Sequence, residues 1–174
     1  MKIAIIGFSG SGKSTLAHAI SKKHSLPLLH LDRAHWLPNW VERDKGEREE
    51  IVKDFLDANS SWVIDGNYAK VFYERRLCEA DTIIIMRFGA LACLFRAIKR
   101  KKEFKGKSRP SITEGCPERI NKEFFWWLVH GSRTRDKKHA FDEVAKKYKN
   151  KTIIIKNQRA LDAYYKAQGL DNEV

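Results

Sequence analysis

At 174 residues the chain is long enough for one domain with a single buried core. Its apolar runs are of strand length, which argues against a secretory leader or a membrane span and leads us to expect a cytoplasmic protein. Three cysteines without C-x-x-C spacing argue against a disulfide framework or a zinc ribbon, and the formal net charge of +12 favours polyanionic partners, either nucleic acid or the phosphates of a nucleotide.

The first predicted strand, residues 2–6, runs directly into the glycine-rich sequence GFSGSGKS, which a predicted helix follows. This is the phosphate-binding pattern G-x-x-x-x-G-K-[ST] in the strand–turn–helix context that it requires. Glycines let successive N–H groups turn inward around an anion, and the helix start adds its positive dipole end. The pattern predicts ATP as cofactor, with Lys13 on the β- and γ-phosphates and Ser14 as a ligand of Mg²⁺. The expected nucleotide-binding residues here are Gly7, Ser9, Gly10, Ser11, Gly12, Lys13, Ser14 and Thr15.

Further apolar runs at 28–31, 62–65, 82–87 and 152–156 alternate with helix-compatible sequence. This alternation predicts an α/β fold with a doubly wound parallel sheet. The isoleucine runs at 83–85 and 153–155 are typical of strands covered on both faces. Because ligands of such sheets bind beyond the carboxyl ends of the strands, the residues that end these runs are site candidates.

Two carboxylates lie at such positions. Asp65 is expected to hold the metal or its waters, or alternatively to cap the next helix or form a turn with Gly66. Asp32 is expected to orient an acceptor hydroxyl or act as its general base, or alternatively to be a cap or turn residue. Asp81 precedes its strand and therefore lies at the wrong end for a metal ligand.

Basic residues concentrate after the fourth strand. Arg96 and Arg100 are four apart on a predicted helix, and Arg109 lies in a loop at about 103–118 that has the composition of a mobile lid. Converging guanidinium groups can neutralise the charge of a transferring phosphoryl group, although basic residues on a helix are also common on solvated faces. Arginines that could join this group are Arg87, Arg133 and Arg135.

Four segments together resemble the adenylate-kinase-like group of P-loop NTPases and kinases, and more narrowly the bacterial DNA topology modulation proteins. They are residues 7–14, the Asp-Gly-Asn-Tyr turn at 65–68, the arginines at 96 and 100, and the stretch 109–119. The resemblance implies one P-loop kinase-like domain over 1–174, with a five-stranded parallel sheet of order 2-3-1-4-5 flanked by helices. It also implies an acceptor-side segment at about 32–60, a lid at about 103–118 whose arginines contact ATP, and an adenine site bordered by Asn157, which could equally cap a helix.

One departure from the resemblance concerns the acceptor. Nucleoside monophosphate kinases carry Asp-Gly-[Phe/Tyr]-Pro-Arg where this chain has Asp-Gly-Asn-Tyr at 65–68, so the arginine that holds the acceptor phosphate is missing. A phosphate acceptor is already anionic, whereas a hydroxyl benefits from a general base. In having Asp32 at this position, the chain resembles small-molecule kinases such as shikimate kinase, whose acceptors are hydroxyls.

Three functions therefore stand open. The first is transfer of the γ-phosphate of ATP, with Mg²⁺, to a small acceptor: a nucleoside, a nucleotide or a hydroxyl metabolite. The second is an ATP-binding protein associated with DNA topology that binds nucleic acid through its basic surface, and the third is a nucleotide sensor or partner-binding module. Either a monomer or a dimer is compatible with each. For the enzyme, the expected catalytic residues are Lys13, Asp32, Arg96, Arg100 and Arg109, and the expected metal ligands are Ser14 and Asp65.

Overall fold

The computed structural model of the protein describes residues 1–118 and 120–171. Its strands are β1 (Lys2–Gly7), β2 (Leu28–His30), β3 (Trp36–Leu37), β4 (Val41–Glu42), β5 (Trp62–Asp65), β6 (Thr82–Met86) and β7 (Thr152–Ile155). Five of them form a parallel sheet in the order β2-β5-β1-β6-β7, while β3 and β4 form an antiparallel hairpin. Counted along the chain without the hairpin, the order is 2-3-1-4-5, which confirms the predicted α/β fold.

Helices cover both faces of the sheet. They are α1 (Lys13–His24), α2 (Leu31–His35), α3 (Lys45–Ala58), α4 (Tyr73–Glu79), α5 (Ala90–Glu103), α6 (Lys122–Val129), α7 (Arg135–Lys147) and α8 (Gln158–Gln168), with short 3-10 turns at Pro38–Trp40, Gly131–Arg133 and Lys149–Lys151. Side-chain oxygens accept from the first turns of four helices, at Asp44, Asn121, Thr134 and Asn157. Within the described ranges, none of these helices has the length and apolarity needed to cross a membrane.

The hydrophobic core is centred on β1 and β6. The isoleucine run 83–85 in β6 is fully buried, as predicted. The run 153–155 differs, because β7 is an edge strand and Ile153 and Ile154 are 38% and 39% exposed. The prediction that both runs are covered on both faces is therefore wrong for β7, since an apolar run has the same sequence signature at the centre and at the edge of a sheet.

The chain after β2 also differs from the prediction. The strand predicted at 28–31 ends at His30, and Leu31 begins the five-residue helix α2, so Asp32 lies in a helical first turn. The hairpin of β3 and β4 follows, and the sequence did not predict it because strands of two residues are too short for a periodic pattern.

The predicted lid lies between α5 and α6 and packs against this hairpin. The Asn39 N–H donates to the Gly115 carbonyl at 2.9 Å, and the Cys116 thiol donates to the Leu37 carbonyl at 3.1 Å. These contacts place the far end of the predicted lid on the predicted acceptor-side segment. Arg119, which belongs to the stretch that carries the family resemblance, lies outside the described residues.

Candidate active site

The glycine-rich segment 7–14, the predicted phosphate-binding loop and called the phosphate loop below, forms the turn that the sequence pattern predicts. Gly7 has a φ of +139°, and a Cβ at this position would lie 2.2 Å from the Met86 carbonyl oxygen, so only glycine fits. Gly12 adopts the left-handed conformation immediately before α1. The Lys13 ammonium donates to the Phe8 carbonyl at 2.9 Å, across the turn. The loop thus curls around Lys13 with the N-terminus of α1 directed into it.

The remaining loop residues differ in their surroundings. Ser9 is half-buried and Thr15 is exposed on α1, whereas Gly10 packs so closely that a Cβ would lie 2.6 Å from the Cys93 carbonyl oxygen. Ser11 is fully buried, and its hydroxyl has no hydrogen-bond partner within residues 1–118 and 120–171. A buried polar atom without a partner is costly, so this hydroxyl and the inward-turning loop fit an oxygen-rich ligand such as the phosphates of ATP.

Lys13 lies in the field of two carboxylates. Burial lowers the pKa of its ammonium, while the charges of Asp65 and Asp32 act in the opposite direction. The same group is repelled by the guanidinium of Arg109. The glycine loop, the end of β5, the first turn of α2 and the lid therefore face one another at one site.

Asp65 is held between the loop and a neighbouring strand. The Ser14 hydroxyl donates to its Oδ2 at 2.8 Å, and its Oδ1 is hydrogen bonded to Nδ1 of His30, the residue opposite it in the register of β2 and β5. The Asp65 carboxylate is therefore bonded to Ser14 and His30, and not to a helix N-terminus or to the turn with Gly66 that the alternative interpretation required. A hydroxyl and a carboxylate oxygen side by side suit Mg²⁺, which typically takes one or two protein oxygens, phosphates and water. Among the described residues, no three His, Cys, Asp or Glu side chains form a fuller metal cluster.

The turn after β5 connects the two halves of the site. The Asn67 side chain accepts from the Gly7 N–H and donates to the Gly7 carbonyl, at 2.8 and 2.7 Å. Arg76, which is fully buried, donates to the carbonyls of Gly66, Tyr68 and Val71. A single guanidinium therefore fixes the backbone that presents Asn67 to the phosphate loop and Tyr68 to Asp32.

Asp32 lies where α2 meets the lid. Its Oδ1 accepts from the Tyr68 hydroxyl at 2.8 Å and its Oδ2 accepts from Arg109 Nη2 at 2.7 Å. Burial raises the pKa of Tyr68, so this phenol stays protonated and remains a donor. The alternative of a capping carboxylate does not hold, because α2 has no side-chain cap.

Two of the three predicted catalytic arginines converge. Arg109 Nη1 donates to Glu118 Oε1 at 2.6 Å, and Arg100 Nε lies 3.0 Å from Glu118 Oε2. Burial lowers the pKa of Arg100. Arg100 and Arg109 therefore meet at one buried carboxylate, close to Asp32.

Arg96 contacts the phosphate loop itself. Its guanidinium is hydrogen bonded to the Ser11 carbonyl and the Gln158 side chain, and lies over the Phe88 ring at 4.1 Å from the centroid. Asn157 accepts from the Ala160 N–H at 2.9 Å and thus caps α8, the alternative that the sequence left open. Its place at the border of an adenine site stays a prediction.

The other arginines suggested by the sequence do not join this group. Arg87 pairs with Asp142 on α7. Arg133 donates to the Phe88 carbonyl at 2.8 Å and to the Leu128 carbonyl at 3.1 Å, and Arg135 is exposed at the start of α7. Proximity in sequence could not separate these roles, because each depends on tertiary contacts.

Sequence reasoning assigned no role at the site to Asn67, Tyr68, Arg76 or Glu118. The turn at 65–68 carried a signal for Tyr68 through its place after a strand. Arg76 and Glu118 gave none, because a charged residue in a helix or loop is most often solvated and their burial depends on tertiary packing.

Comparison with solved structures finds the same overall fold in several enzymes. Shikimate kinase from Acinetobacter baumannii in complex with shikimate superposes with a TM-score of 0.56 and 16% identity, covering 96% of this chain and 90% of that one. Deoxyadenosine kinase from M. mycoides with bound dATP gives a TM-score of 0.53 and 14% identity, covering 97% and 100%. The chain therefore has the fold of these enzymes.

One sequence relative matches most of the chain at low identity, and another matches a shorter part of it at higher identity. Shikimate kinase of Flavobacterium psychrophilum is 25% identical over 138 residues, which are 71% of this chain and 80% of that enzyme. The Bacillus subtilis (strain 168) protein YqaC, described as uncharacterized, is 39% identical over 67 residues; the match spans 37% of this chain and 36% of YqaC. No known protein-family profile matches the chain.

Proposed function

We propose that this protein is an ATP-dependent kinase that phosphorylates a hydroxyl group of a small molecule. The observation that carries the proposal is the placement of Asp32, held by Tyr68 and by the lid residue Arg109 and electrostatically coupled to Lys13 of the phosphate loop. A site built only to bind a nucleotide has no need of a carboxylate at this place. The kinases that share the fold support the same conclusion.

In this proposal the loop N–H groups and Lys13 bind the triphosphate, and Ser14 and Asp65 hold Mg²⁺, which when bound neutralises phosphate charge. Asn157 is proposed to border the adenine, and Arg96, which is hydrogen bonded to the Ser11 carbonyl, is proposed to lie beside the triphosphate. The acceptor oxygen attacks the γ-phosphorus, the bond from that phosphorus to the β,γ-bridging oxygen breaks, and ADP leaves. Asp32 orients the hydroxyl and takes its proton, while Arg100 and Arg109 stabilise charge on the phosphoryl group.

A neutral hydroxyl suits the site better than a phosphate acceptor. The arginine that would follow Gly66 in a nucleoside monophosphate kinase is absent from the turn at 65–68. Arg76, the next conspicuous cation near this turn, is fully buried and bonded to three carbonyls, so it is not available to an acceptor. The proposed layout is one domain over 1–174 with an acceptor-side segment at 32–60 and a lid at 103–118.

An ADP-release assay over nucleosides, nucleotides and hydroxyl metabolites tests the proposal. We expect one class of acceptor to stimulate ADP release, Asp32→Asn to remove the stimulation, and the exposed α7 variant Asp136→Asn to keep it. ATP turnover that no acceptor stimulates and that Asp32→Asn leaves intact would contradict the proposal.

A second candidate, nucleic-acid binding by an ATP-binding protein associated with DNA topology, is favoured by one surface. Exposed lysines cluster at the end of α5 and the start of the lid: Lys99, Lys101, Lys102, Lys105 and Lys107. Arg100 does not belong to this cluster, since it pairs with Glu118. Duplex binding that weakens steeply with salt and is lost when these lysines are replaced by glutamine would support this candidate.

A further inference from the structure

Glu118 is the most buried carboxylate at the base of the lid. Its side chain is 2% exposed and is shared by two arginines from different elements, Arg100 in the last turn of α5 and Arg109 in the lid. Its backbone N–H also donates to the Lys107 carbonyl at 3.2 Å, which closes the lid loop on itself. A buried charge is costly unless it is paired, and both arginines supply that pairing for Glu118.

Arg109 is held on three sides. Its Nε donates to the Ser111 hydroxyl at 2.8 Å, its Nη1 to Glu118 and its Nη2 to Asp32. Glu118 thereby links α5 to Asp32 through Arg109. A change at Glu118 is transmitted to the orientation of both guanidinium groups and to the partner of Asp32.

The charges explain what this linkage does. Arg100 and Arg109 face each other's positive charge, and burial already disfavours the charged form of Arg100. Glu118 offsets this repulsion and leaves donors of Arg100 for other oxygens, since a guanidinium has five N–H groups. Without the carboxylate the site would attract any polyphosphate more strongly, but its arginines would no longer be fixed in one geometry.

We propose that Glu118 is a positioning residue that aligns Arg100 and Arg109 on the γ-phosphate and so sets the preference of the site for ATP over ADP. The inference rests on the proposed kinase function. Glu118 touches neither nucleotide nor acceptor in this account; it acts through the two arginines. A purely structural role would change the folded fraction but not this preference.

The test compares Glu118→Gln with Glu114→Gln, which removes an exposed lid carboxylate. Dissociation constants for ATP and ADP are measured by displacement of a fluorescent nucleotide, together with kcat, KM for ATP and Tm. We expect Glu118→Gln to lower kcat about tenfold or more, to leave KM for ATP unchanged or lower, and to bring the two dissociation constants closer together. Glu114→Gln should match wild type.

Glu118→Asp keeps the charge on a shorter side chain and is expected to give intermediate values, so it decides the matter if Glu118→Gln does not fold. An ATP-to-ADP preference equal to that of wild type in whichever of these variants folds would overturn the inference. The preference is measured without an acceptor, so a failure to find one counts against the kinase proposal and not against Glu118. Wild-type protein that binds neither nucleotide would overturn both.

Discussion

The side-chain amide of Asn67 forms a closed pair of hydrogen bonds with the backbone of Gly7, accepting from its N–H at 2.8 Å and donating to its carbonyl at 2.7 Å. Gly7 begins the phosphate loop and Asn67 belongs to the turn after β5. The pair therefore fixes the loop relative to the strand that carries Asp65. It also explains how the turn at 65–68 supports the candidate nucleotide site although it lies far away in sequence.

Replacing Asn67 by alanine should weaken ATP binding and lower the free energy of unfolding. Two hydrogen bonds are lost and the Gly7 peptide loses both partners, which costs about 1–3 kcal/mol. Nucleotide titration and chemical denaturation measure the two effects. Asn59→Ala is the matched control. It removes the hydrogen bond from the Asn59 side-chain amide to the Phe55 carbonyl at the end of α3, and it should lower stability without changing ATP affinity. Equal ATP affinity in Asn67→Ala and wild type would contradict the assignment.

Arg76→Met should destabilise the protein more than any single surface substitution. The variant removes a fully buried guanidinium and leaves three carbonyls without their donor. We expect a loss of about 3 kcal/mol or more in the free energy of unfolding, because bonds to a charged group contribute more than neutral ones. Denaturant unfolding measures it, with exposed Arg135→Met as control. A difference between the two variants of less than about 0.5 kcal/mol would be incompatible with this role.

Lys13→Met should raise the Tm of the nucleotide-free protein at neutral pH while abolishing ATP binding. Burial lowers the pKa of Lys13, so the charged ammonium lowers the free energy of unfolding at any pH below its folded pKa. That cost is relieved as the pH rises through the folded pKa towards the ordinary value. The advantage of methionine should therefore be largest near pH ~7 and shrink towards pH ~10.

Thermal unfolding of Lys13→Met and wild type across this pH range checks the sign of the difference in Tm. Lys146→Met, at an exposed position on α7, should show no such pH-dependent gain. A Tm for Lys13→Met below that of wild type at neutral pH would mean that the attraction of Asp65 and Asp32 outweighs the desolvation of Lys13.

The parts predicted from sequence are those that depend on local pattern. A glycine loop between a strand and a helix dictates its own geometry, and the burial of consecutive apolar residues identified the central strands. The predictions that failed concern residues whose surroundings depend on tertiary position. Ile153 is apolar like Ile84 but lies on an edge strand, and Arg87 is basic like Arg109 but pairs with Asp142 on α7.

Glu118 illustrates the same limit at the candidate site. In sequence it is one charge in a polar loop, and only the approach of α5 to the lid brings it between Arg100 and Arg109. Asp32 stands between the two cases. Its position after a strand predicted a role at the acceptor, whereas its partners Tyr68 and Arg109 required the fold.

The most direct test of the central claim follows the γ-phosphate itself. Protein is incubated with ATP carrying ¹⁸O in the γ-phosphate and with a pool of nucleosides and hydroxyl metabolites, and the products are analysed by mass spectrometry. If the protein is a kinase of this kind, labelled phosphate appears on the hydroxyl of one organic acceptor. The labelled product is absent with Asp32→Asn and present with Asp136→Asn. Label found only in inorganic phosphate, at a rate that no acceptor changes, would contradict it.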